Sequence, residues 1–373
     1  MPTSPIVTED LIKIANQIKE EAPLLSGKTV LISGGAGFLG KYFRGVFNHL
    51  NKHVLEEPVK VISVDNFITG DRDPNFEFPD ENILNVWGDV ANPLPVREDI
   101  DYIIHAAGLA SPVYYMKYPL ETIESAVTGA KNLLELARKN ENLKGFVFFS
   151  SSEIYGDPDP KNVPTKEDYF GNVSSVGPRA CYDESKRLSE TICSIYHEKY
   201  GVPAKMIRPF NVFGPGMKHN DKRVIPMFSY QSLNGETLTV HGEGSQTRTF
   251  CYITDAMTGF LKVLLKGKPG EAYNIGNAEN EISMKNLAST FSEVVEGASY
   301  KLIEYPENYP AGEPQRRCPD LTKSHDHLGY HAMVNMHEGI ARFINWAKTQ
   351  ESYVGERATN EHLFSRADAK INA

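Results

Sequence analysis

Cysteine is scarce: four residues in 373, at Cys181, Cys193, Cys251 and Cys318, none forming a Cys-x-x-Cys pair. A disulfide framework or a structural zinc site is therefore not expected, and free thiols in a reducing cytoplasm are the simpler reading. Long hydrophobic runs are missing too. No window approaches the roughly 18 consecutive apolar residues of a membrane span, and the N-terminus lacks the basic-then-apolar layout of a secretory signal. A basic excess is absent: 39 Lys and Arg against 48 Asp and Glu give a net charge of -9. That balance argues against nonspecific binding to nucleic acid or anionic membranes. It leaves room for a phosphorylated small molecule, because one arginine or helix N-terminus can hold phosphate inside an acidic protein. No internal repeat or low-complexity stretch is visible.

What is present is an ordinary globular composition, 40% hydrophobic and 23% charged, in a chain long enough for one large or two small domains of roughly 100–200 residues. Leu11, Ile12, Ala15 and Ile18 recur at helical spacing and predict an amphipathic helix packed on the main domain. Short β-rich runs follow at 28–33, 59–64, 83–87, 102–105, 145–150 and 204–207, with helical stretches at 40–50, 121–139 and 182–200. Strands alternating with helices imply a parallel sheet covered on both faces. After about residue 210, Pro215, Gly216, Pro226, Gly235, Gly242 and Gly244 break the chain into smaller segments. The expected architecture is α/β: a doubly wound parallel sheet of the Rossmann type with a smaller, mainly C-terminal substrate lobe. Its parts are an N-terminal helical extension at 1–26, a nucleotide-binding domain at 27–210, an interleaved substrate lobe at 211–350 and a polar tail at 351–373.

Gly34, Gly37 and Gly40 lie between the first predicted strand and the first long helix, in the spacing G-x-x-G-x-x-G. The first glycine permits a tight turn, the second lets backbone approach a pyrophosphate, and the third lets helix pack on strand. Asp65 ends the next strand, where a carboxylate can bond ribose hydroxyls and repel a 2′-phosphate, so NAD is favoured over NADP. The polar stretch 51–58 accounts for the long Gly34–Asp65 separation as a loop insertion. Asp89 either touches adenine or caps a turn. Phe38 and Leu39 beside the glycines, Asn66 and Gly70 after Asp65, and Val90 complete the candidate cofactor set.

Tyr182 and Lys186 lie four apart on a predicted helix and so share one face. An ammonium beside a phenol favours phenolate, lowering a pKa that is otherwise about 10. Such a phenolate can take a proton from a sugar hydroxyl while hydride leaves for the cofactor. The pair follows a strand ending in Ser150-Ser151-Ser152-Glu153, at the edge where open α/β sheets bind ligands. Ser150 reads as a turn residue. Arg248, Arg223 and Arg316 are candidates to hold a diphosphate or to form surface ion pairs.

The glycine pattern, Ser152-Glu153-Ile154-Tyr155-Gly156-Asp157-Pro158 and Tyr182-x-x-x-Lys186 resemble the extended short-chain dehydrogenases. More narrowly, the chain resembles the UDP-glucuronate decarboxylases. The matching segments are Asp65-Asn66-Phe67-Ile68-Thr69-Gly70, Ala110-Ser111-Pro112, Gly177-Pro178-Arg179-Ala180-Cys181-Tyr182-Asp183-Glu184, Gln246-Thr247-Arg248-Thr249-Phe250 and Pro319-Asp320. The resemblance implies an NAD enzyme acting on a UDP-linked sugar, with oxidation at C4, loss of the C5 carboxylate and return of hydride. It implies that Ser151 is the catalytic hydroxyl with Ser152 beside it, and that Glu153 is an active-site acid. Arg317 lies near the sugar carboxylate, Tyr115 faces the sugar acid, and Asn211 and Arg248 hold the nucleotide diphosphate. It also implies a homodimer through the helices at 121–139 and 182–200. The chain departs from the family pattern at Ser151, Gly216, Cys318, the run His105-Ala106-Ala107-Gly108 and Lys222. The neighbouring readings are a 4,6-dehydratase, a C4-epimerase and a catalytically silent NAD-binding regulator. Dehydratases carry Asp where Ser152 stands. An epimerase uses Tyr and Lys without needing Glu153 or Arg317, and silent homologues lose the Tyr or Lys kept here.

Overall fold

The computed structural model describes residues 4–71, 73–94, 96, 99–305 and 315–354. Its strands are β1 (Thr29–Ser33), β2 (Lys60–Asp65), β3 (Ile83–Trp87), β4 (Tyr102–His105), β5 (Gly145–Phe149), β6 (Ala204–Pro209), β7 (Val212–Phe213), β8 (Leu238–His241), β9 (Thr247–Thr249), β10 (Cys251–Tyr252), β11 (Ala272–Ile275), β12 (Glu281–Ser283), β13 (Tyr300–Ile303) and β14 (Arg316–Arg317). Seven form one parallel sheet in the order β11-β6-β5-β4-β1-β2-β3. Within each central strand, neighbouring residues point to opposite sides. Val30 and Ile32 join one core while Leu31 joins the other; Val147 and Phe149 oppose Phe146 and Phe148 in the same way. Both faces are buried, which is why these strands read as continuous apolar runs rather than alternating ones.

The helices are α1 (Pro5–Gln17), α2 (Phe38–His53), α3 (Pro112–Lys117), α4 (Pro119–Ile123), α5 (Gly129–Arg138), α6 (Ala180–Tyr200), α7 (Val224–Leu233), α8 (Ile253–Lys266), α9 (Met284–Val294), α10 (Thr322–Leu328) and α11 (Met336–Ala347). Residues of α1, α2 and α8 fill the core on one sheet face, and those of α5 and α6 the core on the other. A π-helical turn, Glu124–Thr128, joins α4 to α5. Such turns cluster at functional sites, and this one carries Ser125 to the cleft described below.

Four sequence expectations need correction. The buried stripe of α1 is Val7, Leu11, Ile14 and Ala15, with Ile18 just beyond the helix, and Ile12 is 41% exposed. One residue along a helix turns the side chain by about 100°, off the buried face. The segment 51–58 is not wholly a loop, because α2 runs on to His53 before the turn. The main sheet also takes a strand from beyond residue 210: β11 pairs in parallel with β6. Finally, the helical stretch at 121–139 is broken by the π turn. The tail expected at 351–373 lies outside the described residues from 355 onward.

The smaller sheets come after residue 210: β7 with β10, β8 with β13, and β12-β9-β14. In the last, Arg317 pairs in register with Arg248, and Arg316 with Thr247. Side chains alternate along a strand, so Arg248 and Arg317 share one face. Arg316 and Thr247 share the other, where both bond Glu281. Among the described residues no helix is long and apolar enough to cross a membrane.

Candidate active site

The strand order reverses between β1 and β4, and the cleft opens at their C-terminal ends, the usual ligand position in open α/β sheets. Backbone closeness defines its floor. Gly34 has φ +78°, and a Cβ there would come within 2.7 Å of the Ala107 nitrogen. A Cβ on Gly40 would strike the Gly34 carbonyl, so α2 can start against the turn only with glycine at that position. The N-terminus of α2 thus faces a cradle that side chains would fill, a fit for pyrophosphate.

Gly34, Gly37, Asp65, Asn66, Asp89 and Val90 line the cleft. Phe38, Leu39, Gly40 and Gly70 support it from behind. Phe38 and Leu39 pack on the core, and Gly70 lies where a Cβ would press on Ala36 and Asp65. The Asp65 carboxylate accepts from Ala36 N at 2.9 Å and Phe67 N at 2.7 Å, which fixes it at the strand end. Asp89 accepts from Asn66 Nδ2 at 3.1 Å and Ala91 N at 2.9 Å, so it caps its turn while facing the cleft. Sequence reasoning missed the opposite wall, Ala106 to Leu109 with Glu121, Glu124 and Ser125. Ala106 to Gly108 entered the sequence reading only as a departure from the family pattern, Glu121, Glu124 and Ser125 carry no motif, and the sheet order brings both groups to the cleft.

Beside this cleft stands α6. Tyr182 is buried near Ser151, whose hydroxyl acts to lower its pKa, and stacks on Tyr115, with ring centroids 5.3 Å apart and planes at 21°. The Lys186 ammonium donates to the Phe149 carbonyl at 2.7 Å and lies 5.7 Å from the Tyr182 ring. A Cβ on Gly108 would come within 3.2 Å of it, which ties the pair to the cleft wall. The expectation that Lys186 lowers the Tyr182 pKa is not met in this arrangement. Burial dominates and pushes the phenol up to about 12, against the nearby Ser151 hydroxyl, which lowers it. Burial also brings Lys186 down to about 8.

The Ser151 hydroxyl also accepts from Glu153 N at 3.2 Å, capping the short turn Ser152–Tyr155 in which Ser152 is buried. The Glu153 carboxylate is clasped between two guanidiniums, Arg179 on one oxygen and Arg317 on the other. Arg317 is buried and also donates to the Gly156 carbonyl at 3.2 Å. Arg179 stands just before α6 and lies 3.7 Å from Asp183, whose carboxyl is raised chiefly by burial. Arg179 and Asp183 were not singled out from sequence, although both lie in the run around Tyr182.

The remaining candidates stand further out. Asn211, at φ +34°, donates its amide to the Thr249 carbonyl at 2.9 Å, tying its turn to β9. Arg248 donates to the Thr247 carbonyl at 2.8 Å. Arg223 forks onto Asp221 through Nε and Nη2, the ion pair weighed from sequence, and is close enough to act on the Tyr182 phenol electrostatically.

Comparison with known proteins adds an independent line. The NAD dependent epimerase/dehydratase family matches residues 30–276. UDP-glucuronic acid decarboxylase 5 of Arabidopsis thaliana is 38% identical over 84% of this chain and 88% of its own. UDP-glucuronic acid decarboxylase 1 of Xenopus tropicalis is 36% identical over 92% and 77%. Among solved structures, epimerase Mth375 of Methanothermobacter thermautotrophicus superposes with a TM-score of 0.76 at 27% identity, covering 89% of this chain and 95% of that one. DesIV, a dTDP-glucose 4,6-dehydratase of Streptomyces venezuelae solved with NAD, gives 0.74 at 26%, covering 88% and 99%.

Proposed function

Because the chain belongs to the NAD dependent epimerase/dehydratase family and, within it, to the UDP-glucuronic acid decarboxylases, we propose that it converts UDP-glucuronate to UDP-xylose and carbon dioxide, with NAD recycled in each turnover. One observation carries the choice among neighbours. Glu153 is clasped by Arg317 and Arg179 two residues after Ser151, the hydroxyl that acts on the Tyr182 phenol. A C4-epimerase needs the tyrosine and lysine but not this acid–arginine pair. A 4,6-dehydratase needs a proton donor where Ser152 stands, and a serine hydroxyl is a poor acid at neutral pH.

NAD, when bound, supplies the hydride acceptor and a cationic ring. In this reading Tyr182 Oη takes the proton of the sugar C4 hydroxyl, with Ser151 bonded to the same oxygen. Lys186, already close to titrating near pH 8, keeps positive charge near the phenol. Oxidised at C4, the sugar is a β-keto acid, and the electrons released with carbon dioxide move onto the C4 oxygen, where Tyr182 and Ser151 donate. Arg317 orients the departing carboxylate. Glu153 moves a proton at C5 or orders the water that does. Asn211, Arg248 and Arg223 are assigned to the diphosphate, Tyr115 to the sugar acid, and Asp65 and Asp89 to the adenosine end of NAD.

A homodimer through the helices at 121–139 and 182–200, that is the end of α4, the π turn and α5 on one side and α6 on the other, is part of the same reading. Leu120 and Ile123 on α4, and Leu188 and Ile195 on α6, are exposed apolar residues on elements that pack together. The function is tested with purified protein and UDP-glucuronate. Stoichiometric carbon dioxide and a UDP-pentose should appear with no net NADH. Consumption of UDP-glucose or dTDP-glucose instead, with UDP-glucuronate untouched, would overturn the assignment.

A further inference from the structure

The outer wall of the cleft is the segment 66–71, which faces the cofactor space through Asn66, Ile68 and Thr69. Its near end is fixed by Asp65, which holds Phe67 N, and Phe67 itself adopts φ +60°. Its far end is fixed by charge. Lys41, the residue after Gly40 on α2, is 4% exposed, and its ammonium sits 2.5 Å from Asp71 and 3.6 Å from Asp73. Lys218 arrives from the opposite side. Its ammonium donates to the Thr69 carbonyl at 2.8 Å and lies 3.0 Å from Asp71. The turn that delivers Lys218 is pressed against the same region. Gly216, at φ +94°, could not carry a Cβ without meeting the Phe76 ring at 2.9 Å, and the Met217 carbonyl accepts from Tyr353 at 3.0 Å. Burial works to raise the Asp71 carboxyl, but the two ammoniums outweigh it and hold the group below its ordinary value.

We infer that Lys218, Asp71 and Lys41 form an ionic brace that clamps the cleft's outer wall between α2 and the 214–218 turn, and that this brace sets how long NAD stays bound. The inference rests on the reading that NAD occupies this cleft. None of the three side chains lines the cleft; they act through Thr69 and Ile68 and are positioning residues. The brace is asymmetric. Lys41 is a buried anchor, whereas the Lys218–Asp71 contact is partly exposed, with side chains 34% and 45% accessible. Exposed ion pairs are weak and reversible, so the Lys218 side is where the wall opens. Recycling needs NAD to remain through oxidation, carbon dioxide loss and reduction, and release midway would strand the keto sugar.

The test measures NAD dissociation by stopped-flow, with turnover measured separately. Lys218→Met should release NAD about tenfold faster, equivalent to roughly 1.4 kcal/mol, while kcat at saturating NAD stays within twofold. Lys218→Arg should restore slow release. Rising salt should speed release from the native protein more than from Lys218→Met, because exposed charges are screened. Asp71→Asn is the independent second variant and should also release NAD faster. Unchanged dissociation in Lys218→Met and Asp71→Asn would overturn the brace while leaving the function intact. A native protein that holds no NAD would instead overturn the cofactor reading itself.

Discussion

Tyr182 shows how burial and hydrogen bonding compete within one side chain. Its phenol is removed from water, which favours the neutral form, while the Ser151 hydroxyl pulls the other way. Tyr182→Phe deletes that oxygen and keeps the ring stacked on Tyr115. The variant should fold, bind NAD with an affinity within a few fold of native, and lose activity by roughly 10²–10⁴, the range for a removed general base. Progress curves and NAD titration check this, and near-native turnover would remove Tyr182 from the chemistry. At this scale the sequence was readable where spacing is local. Four residues on a helix put Tyr182 and Lys186 on one face, and three glycines between strand and helix describe one turn. It was not readable where function depends on distant closure. Arg179 reaches a carboxylate 26 positions earlier, and Arg317 reaches the same carboxylate from 164 positions later. Nothing near either arginine in sequence says so. The electrostatic sign at Tyr182 was also hidden, because it depends on burial and on Lys186 turning its ammonium to Phe149.

Elements, in turn, are held by the polar groups they bury. Helix α1 docks through its apolar stripe, but Asp10 on that face is fully buried. Its carboxylate accepts from Arg342 at 3.2 and 2.7 Å, Tyr252 at 2.9 Å and Tyr42 at 3.3 Å, joining α1 to α11, β10 and α2. Burial lifts the Asp10 carboxyl to about 6 against the pull of Arg342. A raised acid favours the folded state while protonated. Its contribution is complete below the unfolded value near 4 and is lost as pH rises through about 6. Arg342→Met strands the charge and pushes this loss to higher pH. Urea unfolding at pH 8 should show a cost of roughly 3–5 kcal/mol, the range for one partner removed from a buried pair. At pH 5 the cost should be smaller, because a neutral carboxyl tolerates burial. Equal costs at both pH values would rule out a buried, unpaired carboxylate as the cause. The strands were legible because doubly covered strands leave continuous apolar runs. Strand β11 was not, since four short residues of that kind after residue 210 resemble those of the small sheets, and only parallel pairing with β6 recruits them.

At the scale of the whole molecule, α6 presents two different faces. Tyr182 and Lys186 point to the cleft. Leu188, 49% exposed, and Ile195, seven residues later, share an outward stripe. Leu120 on the adjoining α4 is 68% exposed, extending the apolar surface across both helices. A stripe of this kind on packed helices suits a two-fold interface in which each copy presents the same patch. In the proposed dimer, pairing also steadies the helix that carries the phenol and the ammonium, although Tyr182, Ser151, Glu153 and Arg317 all come from one chain. Leu188→Glu combined with Ile195→Glu puts two carboxylates into this apolar stripe, which the proposed dimer buries. Analytical ultracentrifugation should then give the mass of one chain for the variant and of two for the native protein. The variant should still bind NAD, because the glycine turn and Asp65 lie elsewhere, while turnover falls as α6 loses its external support. A native protein sedimenting as a single chain at micromolar concentration would remove the interface, and with it any coupling between assembly and turnover.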